Sequence, residues 1–296
     1  MRVLFTLFLV AFALSIEYVV DHAYIDYLKN HVTWEVTDYE ENIFRGWTID
    51  EVKQLLIPEE MMDMEISSEP YIITDDSEPK ETDWSKDAAS CIHDVQNQGS
   101  CGSCWAFAVA DMVADRCCMQ VKDYGILSQQ ELVSCDKANN GCGGGVRDYA
   151  IDYVVKHGLV PEACYPYLAK NGVCPTKCVD GSDWVSAHVC KCQRRINCVG
   201  PAQMAKCLET GPIATGFIVY RDFMSYKDGI YHWNGQGSAL GGHAIRCIGY
   251  GTTPERHWKC INSWGKNWGR KGYFDIGVGE CGIDTRQPGY CDPIKN

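Results

Sequence analysis

Four residues, met in the order Gln98, Cys104, His243 and Asn262, carry the side chains needed to attack a carbonyl with sulfur. A thiolate is a strong nucleophile, but a cysteine at its ordinary pKa is mostly protonated near neutrality. Cys104 stands in Gln98-Gly99-Ser100-Cys101-Gly102-Ser103-Cys104-Trp105-Ala106-Phe107, where a long apolar run begins. If that run is a helix, its N-terminal dipole favours the ionised sulfur. A base must take the thiol proton, and eight histidines are available: His22, His31, His93, His157, His188, His232, His243 and His257. His243, in Gly241-Gly242-His243-Ala244-Ile245, opens a predicted strand 139 residues after Cys104. Asn262 follows 19 residues later, in Ile261-Asn262-Ser263-Trp264-Gly265, and can hold the imidazole through its side chain. Gln98 is placed so that its amide meets a developing oxyanion together with the backbone N–H of Cys104. Taken singly, Cys104 could be half of a disulfide, His243 a core or surface histidine and Asn262 a turn residue. Four such groups in order make sulfur chemistry the better reading.

The elements that must position these groups can be read from periodicity and punctuation. Cys104 through Arg116 runs without Gly or Pro and is apolar nearly all round, which predicts a helix buried at the centre. Ser128-Gln129-Gln130-Glu131 has the form of a capping box. Val146–His157 predicts a further helix closed by Gly158, and Pro201–Thr210 another with Gly211 beyond its end. Ile213–Tyr220, Ala244–Tyr250, Trp258–Asn262 and Gly272–Ile276 read as strands between Gly-rich turns. Helices first and strands later predict an α+β protein with a helical half and a sheet half.

Ahead of this lie two segments of different character. Arg2, the apolar run Val3–Leu14 and the small residues Ala13-Leu14-Ser15 read as a secretory signal peptide over residues 1–15. Residues 16–80 hold 17 acids against 4 bases and no cysteine. They predict short helices around Tyr24–Asn30 and Asp50–Leu56, then a loose linker or cleavage region over Ser67–Pro79. The acidity of this segment suggests charge-dependent docking that acid would loosen. Residues 81–296 are balanced at 22 acids and 22 bases, so no basic field exists for nucleic acid or anionic lipid. All 18 cysteines of the 296-residue chain fall from Cys91 onward, the mark of a disulfide framework made in an oxidising compartment. No Asn-x-Ser/Thr acceptor occurs, so glycosylation is not predicted.

From about residue 81 to the end the chain resembles the papain-like cysteine proteases, and among them the cathepsin B branch. The resemblance rests on Gln98–Phe107, Gly141-Cys142-Gly143-Gly144-Gly145, Tyr165-Pro166-Tyr167, Gly241–Arg246 and Asn262–Gly269. Asp115-Arg116-Cys117-Cys118 and Phe223–Tyr231 resemble the cathepsin B branch in particular. Thr33-Trp34 and Asn42-Ile43-Phe44 match its short inhibitory propeptide in order. The resemblance implies a left helical domain and a right β-barrel-like domain with the active site in the cleft between them. It implies a secreted or lysosomal endopeptidase made as a zymogen: signal peptide 1–15, propeptide 16–80, peptidase domain 81–296. Cys104 would be the nucleophile, His243 the base, Asn262 its orienting group, Gln98 the oxyanion donor, and Trp264 a cover over the Asn262–His243 contact. Gly144 and Gly145 would offer backbone hydrogen bonds to an extended substrate. Gly143, where the family usually has Asn, departs from the pattern.

The same resemblance implies the disulfides Cys101–Cys142, Cys91–Cys118, Cys135–Cys174 and Cys164–Cys178. Seventeen cysteines remain when Cys104 is kept free, so at least one more cannot pair within the chain. Cys247 and Cys260, on predicted core strands, read as buried thiols. The partners of Cys117, Cys190, Cys192, Cys198, Cys207, Cys281 and Cys291 stay open, with a zinc knuckle the alternative to disulfides for Cys190, Cys192, Cys198 and Cys207. Only Leu168–Val173 lies between Tyr167 and Cys174, with no His, so the occluding loop that makes cathepsin B a dipeptide-trimming enzyme is lacking. The walls of the pocket for the second residue before the scissile bond, S2, would include Val146, Gly216 and Ala244. Arg286 falls where cathepsin B has an acid, with Arg147 near the rim. This implies a preference for apolar over basic P2 residues, with both guanidinium groups in solvent as the simpler alternative. No cofactor or metal is expected. The expected partners are protein and peptide substrates, the chain's own propeptide and cystatin-type inhibitors, for a monomer of the lysosome or the extracellular space. The competing functions are a catalytically silent papain-like binding protein and a cysteine-rich metal-binding protein.

Overall fold

The computed structural model describes residues 17–62 and 77–295. The signal-peptide reading and most of the Ser67–Pro79 linker lie outside the described residues. The N-terminal segment contributes α1 (His22–His31), β1 (Glu35–Val36), α2 (Ile49–Lys53) and α3 (Glu59–Met62). Asp21 caps α1 by accepting the Tyr24 N–H, and Thr48 with Glu51 forms a reciprocal capping box on α2. After β2 (Thr82–Asp83) and α4 (Trp84–Asp87), the helical half is built from α5 (Cys104–Gln120), α6 (Gln129–Cys135) and α7 (Arg147–His157).

Every residue of α5 from Cys104 to Cys117 is buried. Burial of each large apolar side chain contributes about 1.5–3 kcal/mol, enough for this helix to anchor the core. The same helix also buries Asp111, Asp115 and Arg116. Arg246 donates to Asp115 at 2.6 Å, Gln129 to Asp111 at 2.8 Å, and Arg116 to the Pro212 carbonyl at 2.6 Å. On α6, Ser128 accepts the Glu131 N–H at 3.0 Å, but Glu131 does not complete the expected box. Its buried carboxylate instead accepts from Val160 N and Tyr153 Oη and pairs with His188. Gly158 closes α7 at a φ of 79°, where a side chain would be strained.

The second half carries β3 (Cys192–Asn197), α8 (Pro201–Leu208), β4 (Ile213–Val219), β5 (Tyr226–Asp228), β6 (Ile230–Tyr231), β7 (Gly241–Gly251), β8 (His257–Ile261), β9 (Tyr273–Gly277) and β10 (Gly289–Pro293). The main sheet runs β3-β10-β4-β7-β8-β9-β6, antiparallel except where β6 lies beside β9, and β2 joins β7. β5 is outside it and, among the described residues, pairs only with β1 of the N-terminal segment. α5 packs against β7, β10 and β4, so the helical and sheet halves meet along the helix that starts at Cys104.

Eight disulfides hold this body: Cys91–Cys118, Cys101–Cys142, Cys117–Cys190, Cys135–Cys174, Cys164–Cys178, Cys192–Cys291, Cys198–Cys207 and Cys247–Cys260. The last corrects the expectation of two buried thiols. Cys247 and Cys260 are register partners on β7 and β8, with Cα atoms 4.0 Å apart. Cys190, Cys192, Cys198 and Cys207 are each consumed by disulfides, which removes the zinc-knuckle alternative. Cys104 and Cys281 are the free cysteines.

Candidate active site

Cys104 is the first residue of α5 and is fully buried. Ser103 gives the helix no side-chain cap, which leaves first-turn N–H groups available to the sulfur. The Cys104 thiol meets the backbone N–H groups of Ala244 and Trp105. The Ala244 contact brings the start of α5 against the residue after His243. Burial, only partly offset by these N–H groups and by Arg147, pushes the thiol up to about 11.

His243 Nε2 lies 2.6 Å from Asn262 Oδ1, and that oxygen also accepts the Ser263 N–H at 2.8 Å. An oxygen that accepts twice fixes the proton on Nε2, leaving Nδ1 unprotonated. Nδ1 is buried and has no hydrogen-bond partner among the described residues. Trp264 stacks on the imidazole at 4.6 Å between ring centroids and is itself 4% exposed, so the contact is closed to water. Burial lowers His243 to about 4, Asn262 opposes that shift, and Arg147 adds to it. Both shifts favour the neutral forms, thiol and imidazole, in the intact chain.

Gln98 explains why the pair is so dry. Its Nε2 donates at 2.8 Å to the carbonyls of both Leu55 and Cys101, while Oε1 accepts from Ser263 Oγ at 2.7 Å. Leu55 belongs to the N-terminal segment, so a peptide carbonyl of the chain itself already sits on the Gln98 amide. Two residues on, Ile57 and Gly242 exchange N–H···O bonds of 2.8 Å each, an added antiparallel bridge immediately before His243. Gly102 and Gly144 permit this approach. A Cβ on Gly102 would stand 3.2 Å from the Gln54 carbonyl, and one on Gly144 2.8 Å from Ile57 Cγ2. Gly145 is different: its close neighbour is the Trp105 ring, not the segment. At the departure Gly143, a Cβ would stand 2.4 Å from Asn140 Nδ2, so the Asn140 side chain already occupies that space.

Gly216 and Ala244 are register partners on β4 and β7, and Val146 is buried as the N-cap of α7. Arg286 is half-buried. In the intact chain Arg147 is 2% exposed and donates to the Arg286 carbonyl.

Several contributors could not be found from sequence. Tyr167 Oη donates to the Gln98 carbonyl at 2.8 Å and bonds Ser103 Oγ at 2.6 Å, although Tyr165-Pro166-Tyr167 carries no chemical signal beyond its likeness to the family. Arg221, with no motif around it, donates to the Val19 and Tyr18 carbonyls and to Asp21 of the segment. Among the described residues Asp21–Arg221 is the ion pair joining segment to domain, while Lys29–Asp38 and Arg45–Glu40 are internal to the segment.

Comparison with known proteins agrees with this geometry. The family described as papain family cysteine protease matches residues 78–289. Cathepsin B-like CP3 of Giardia intestinalis is 36% identical over 256 residues, spanning 82% of this chain and 85% of the relative. Cathepsin B of Dictyostelium discoideum is 32% identical over 223 residues, 69% of this chain and 70% of the relative. Among solved structures, procathepsin B S9 from Trypanosoma congolense superposes with a TM-score of 0.82 at 25% identity, covering 94% of this chain and 99% of that one. The chain belongs to the papain family of cysteine proteases, as a cathepsin B-like member made as a zymogen.

Proposed function

We propose that the enzyme is an endopeptidase whose nucleophile is Cys104, with signal peptide 1–15, inhibitory propeptide 16–80 and peptidase domain 81–296. The observation that carries the reading is the Leu55 carbonyl held by the Gln98 amide beside a thiol at a helix start and an imidazole fixed by Asn262. When the propeptide leaves and water returns, the dehydration that keeps the pair neutral is relieved. His243 Nδ1 then takes the thiol proton, and Cys104 Sγ attacks the scissile carbonyl. Gln98 Nε2 and the Cys104 N–H stabilise the oxyanion. His243 returns its proton to the leaving amine, giving a thioester, and then activates the water that hydrolyses it.

Endopeptidase action is supported by the stretch between Tyr167 and Cys174. Leu168 N donates to Gln130 Oε1, Gln130 Nε2 to the Lys170 carbonyl, and Asn171 Oδ1 accepts from Cys142 N. These bonds tie the stretch to α6 and to the Cys101–Cys142 region, and it carries no His to hold a substrate's C-terminal carboxylate. Val146, Gly216, Ala244 and Arg286 with buried Arg147 form an S2 pocket that favours apolar over basic P2 residues. The enzyme works as a monomer in lysosomes or outside the cell and is open to cystatin-type inhibitors. Eight disulfides support a secretory route, and no helix among the described residues is long and apolar enough to cross a membrane. The test is active-site titration of the matured protein with an epoxide thiol inhibitor, followed by digestion of a long unfolded substrate. Labelling of Cys104, internal cleavage and kcat/KM for P2 Leu above P2 Arg are expected. Unlabelled Cys104, or activity surviving in Cys104→Ser, would refute the mechanism, and sequential dipeptide release alone would refute the endopeptidase assignment.

A further inference from the structure

The N-terminal segment covers two separate places. Residues 54–58 fill the cleft and Phe44 packs edge-on against Trp264 beside it, 5.2 Å between ring centroids, whereas residues 18–36 lie on a further face. On that face Arg221 donates to the carbonyls of Val19 at 2.8 Å and Tyr18 at 3.0 Å and to Asp21 at 2.8 Å. Its guanidinium also lies 4.0 Å from the Tyr24 ring centre. The Trp34 ring stands 5.9 Å from that of Tyr226 and 5.4 Å from that of Tyr231, with its indole N–H on the His232 carbonyl at 2.9 Å. Residues Glu35 and Val36 pair with β5, a strand with no other strand partner among the described residues. Departure of the segment therefore leaves a strand edge without a ladder, an aromatic seat and an arginine that has lost its carboxylate. A strand edge of this kind recruits extended polypeptide, with main-chain bonds giving affinity and side-chain seats giving selection.

We infer that this face of the matured enzyme binds a second stretch of its polypeptide substrate, an extended, acidic stretch carrying an indole or phenol ring, well away from the scissile bond. The inference rests on the peptidase reading above. The occupant's chemistry is drawn from the contacts: a carboxylate for Arg221, a flat ring for Tyr226 and Tyr231, and backbone for β5. Trp34 and Ile57 are 23 residues apart in the chain, so a substrate of about 30 residues can reach both places at once. At an effective concentration near 1 mM, a second contact with a dissociation constant of about 0.1–1 mM raises kcat/KM by roughly 2- to 10-fold.

Two substrates test this on the matured enzyme. One is a four-residue fluorogenic peptide; the other is a 40-residue unstructured peptide with the same cleavage sequence and an Asp-x-x-Tyr and Trp stretch about 20 residues away. Arg221→Gln is expected to lower kcat/KM for the long peptide by roughly 2- to 10-fold and to leave the short one unchanged. A synthetic peptide of residues 17–40, which stops short of the Phe44 contact with Trp264, is expected to slow the long substrate and not the short one when added to unmutated enzyme, which keeps the test independent of how the variant folds. An unchanged long-substrate rate in either experiment, or equal slowing of both substrates, would overturn the inference. Failure of the peptidase reading is distinguishable, because the unmutated enzyme would then not cleave the short peptide.

Discussion

Cys104 in the intact chain should behave as a protonated thiol, and its alkylation rate can show this without any substrate. The perturbation is removal of the N-terminal segment, which restores water to a sulfur now pushed up to about 11 by burial. At that value only about 10⁻⁴ of the sulfur is ionised at pH 7, so the thiolate lies about 5 kcal/mol above the thiol there. Alkylation by iodoacetamide goes through the thiolate, so the rate in the intact chain should rise tenfold per pH unit throughout pH 6–9. The matured enzyme should instead show a plateau reaching to acid pH, since there His243 holds the proton. The sign follows from charge: burial disfavours the ionised sulfur and also disfavours imidazolium, which lies at about 4 in the intact chain, so both groups are driven to neutrality. The assay is mass spectrometry of the Cys104 peptide after timed alkylation, which separates it from the second free thiol, Cys281. Steric shielding by the segment lowers the rate but not its slope with pH. A plateau below pH 7 in the intact chain would refute the account of a desolvated, neutral pair.

Replacing Trp34, which is 4% exposed and far from the sulfur, with Ala should weaken inhibition by a 17–62 segment added in trans by about 3–5 kcal/mol, or at least roughly 10²-fold in Ki. A change under fivefold would show that the cleft residues alone hold the segment. Cys260→Ala should destabilise the domain by about 2–3 kcal/mol by opening the 13-residue separation to Cys247, visible as a drop in Tm of roughly 5–10 °C; no drop would return the pair to simple thiols. For Asp21, burial opposes ionisation, but the Tyr24 N–H and Arg221 outweigh it and hold the carboxyl below the usual aspartate range. Its contribution to docking is thus present above the free-carboxyl pKa and lost as pH falls through the depressed one. Asp21→Asn should flatten that part of the pH dependence of segment binding, and an unchanged profile between pH 5 and 3 would refute the pairing.

What is legible in the sequence is whatever is local. The α5 helix can be read because nothing from Cys104 to Arg116 interrupts it, and its burial follows from the apolar residues around its whole circumference. Cys104, His243, Asn262 and Gln98 can be picked out because each sits in a short string whose residue types suit one chemistry. Register is not legible. Cys247 and Cys260 face each other only because β7 and β8 pair with a bulge between Cys247 and Gly249, and no local pattern encodes that alignment. Nor are the buried charges: Arg147 looks like the solvent-facing start of a helix, and Asp115 gives no sign that Arg246 reaches it. Glu131 has the right spacing for a cap, yet a buried carboxylate is more stable with the Val160 amide, Tyr153 and His188 around it than folded back on its own helix end. Leu55 on Gln98 and Arg221 on Asp21 join residues more than 40 positions apart, beyond anything that spacing expresses.

The placement of the disulfides has a consequence for how the enzyme is switched on. All sixteen bonded cysteines lie between Cys91 and Cys291, and none of the segment's residues is a cysteine. As a covalent graph, the molecule is a densely cross-linked body with one uncrossed tether. A single peptide-bond scission in that tether is enough to make the inhibitor a separate chain able to dissociate, with no bond to reduce and no loop to unthread. The body left behind keeps every cross-link it had when it folded, so activation changes what is attached to the protease and leaves its covalent frame unaltered. Because the lost tether cannot be religated, the switch runs one way, and its timing depends on access to one stretch of chain and not on the redox state of the surroundings.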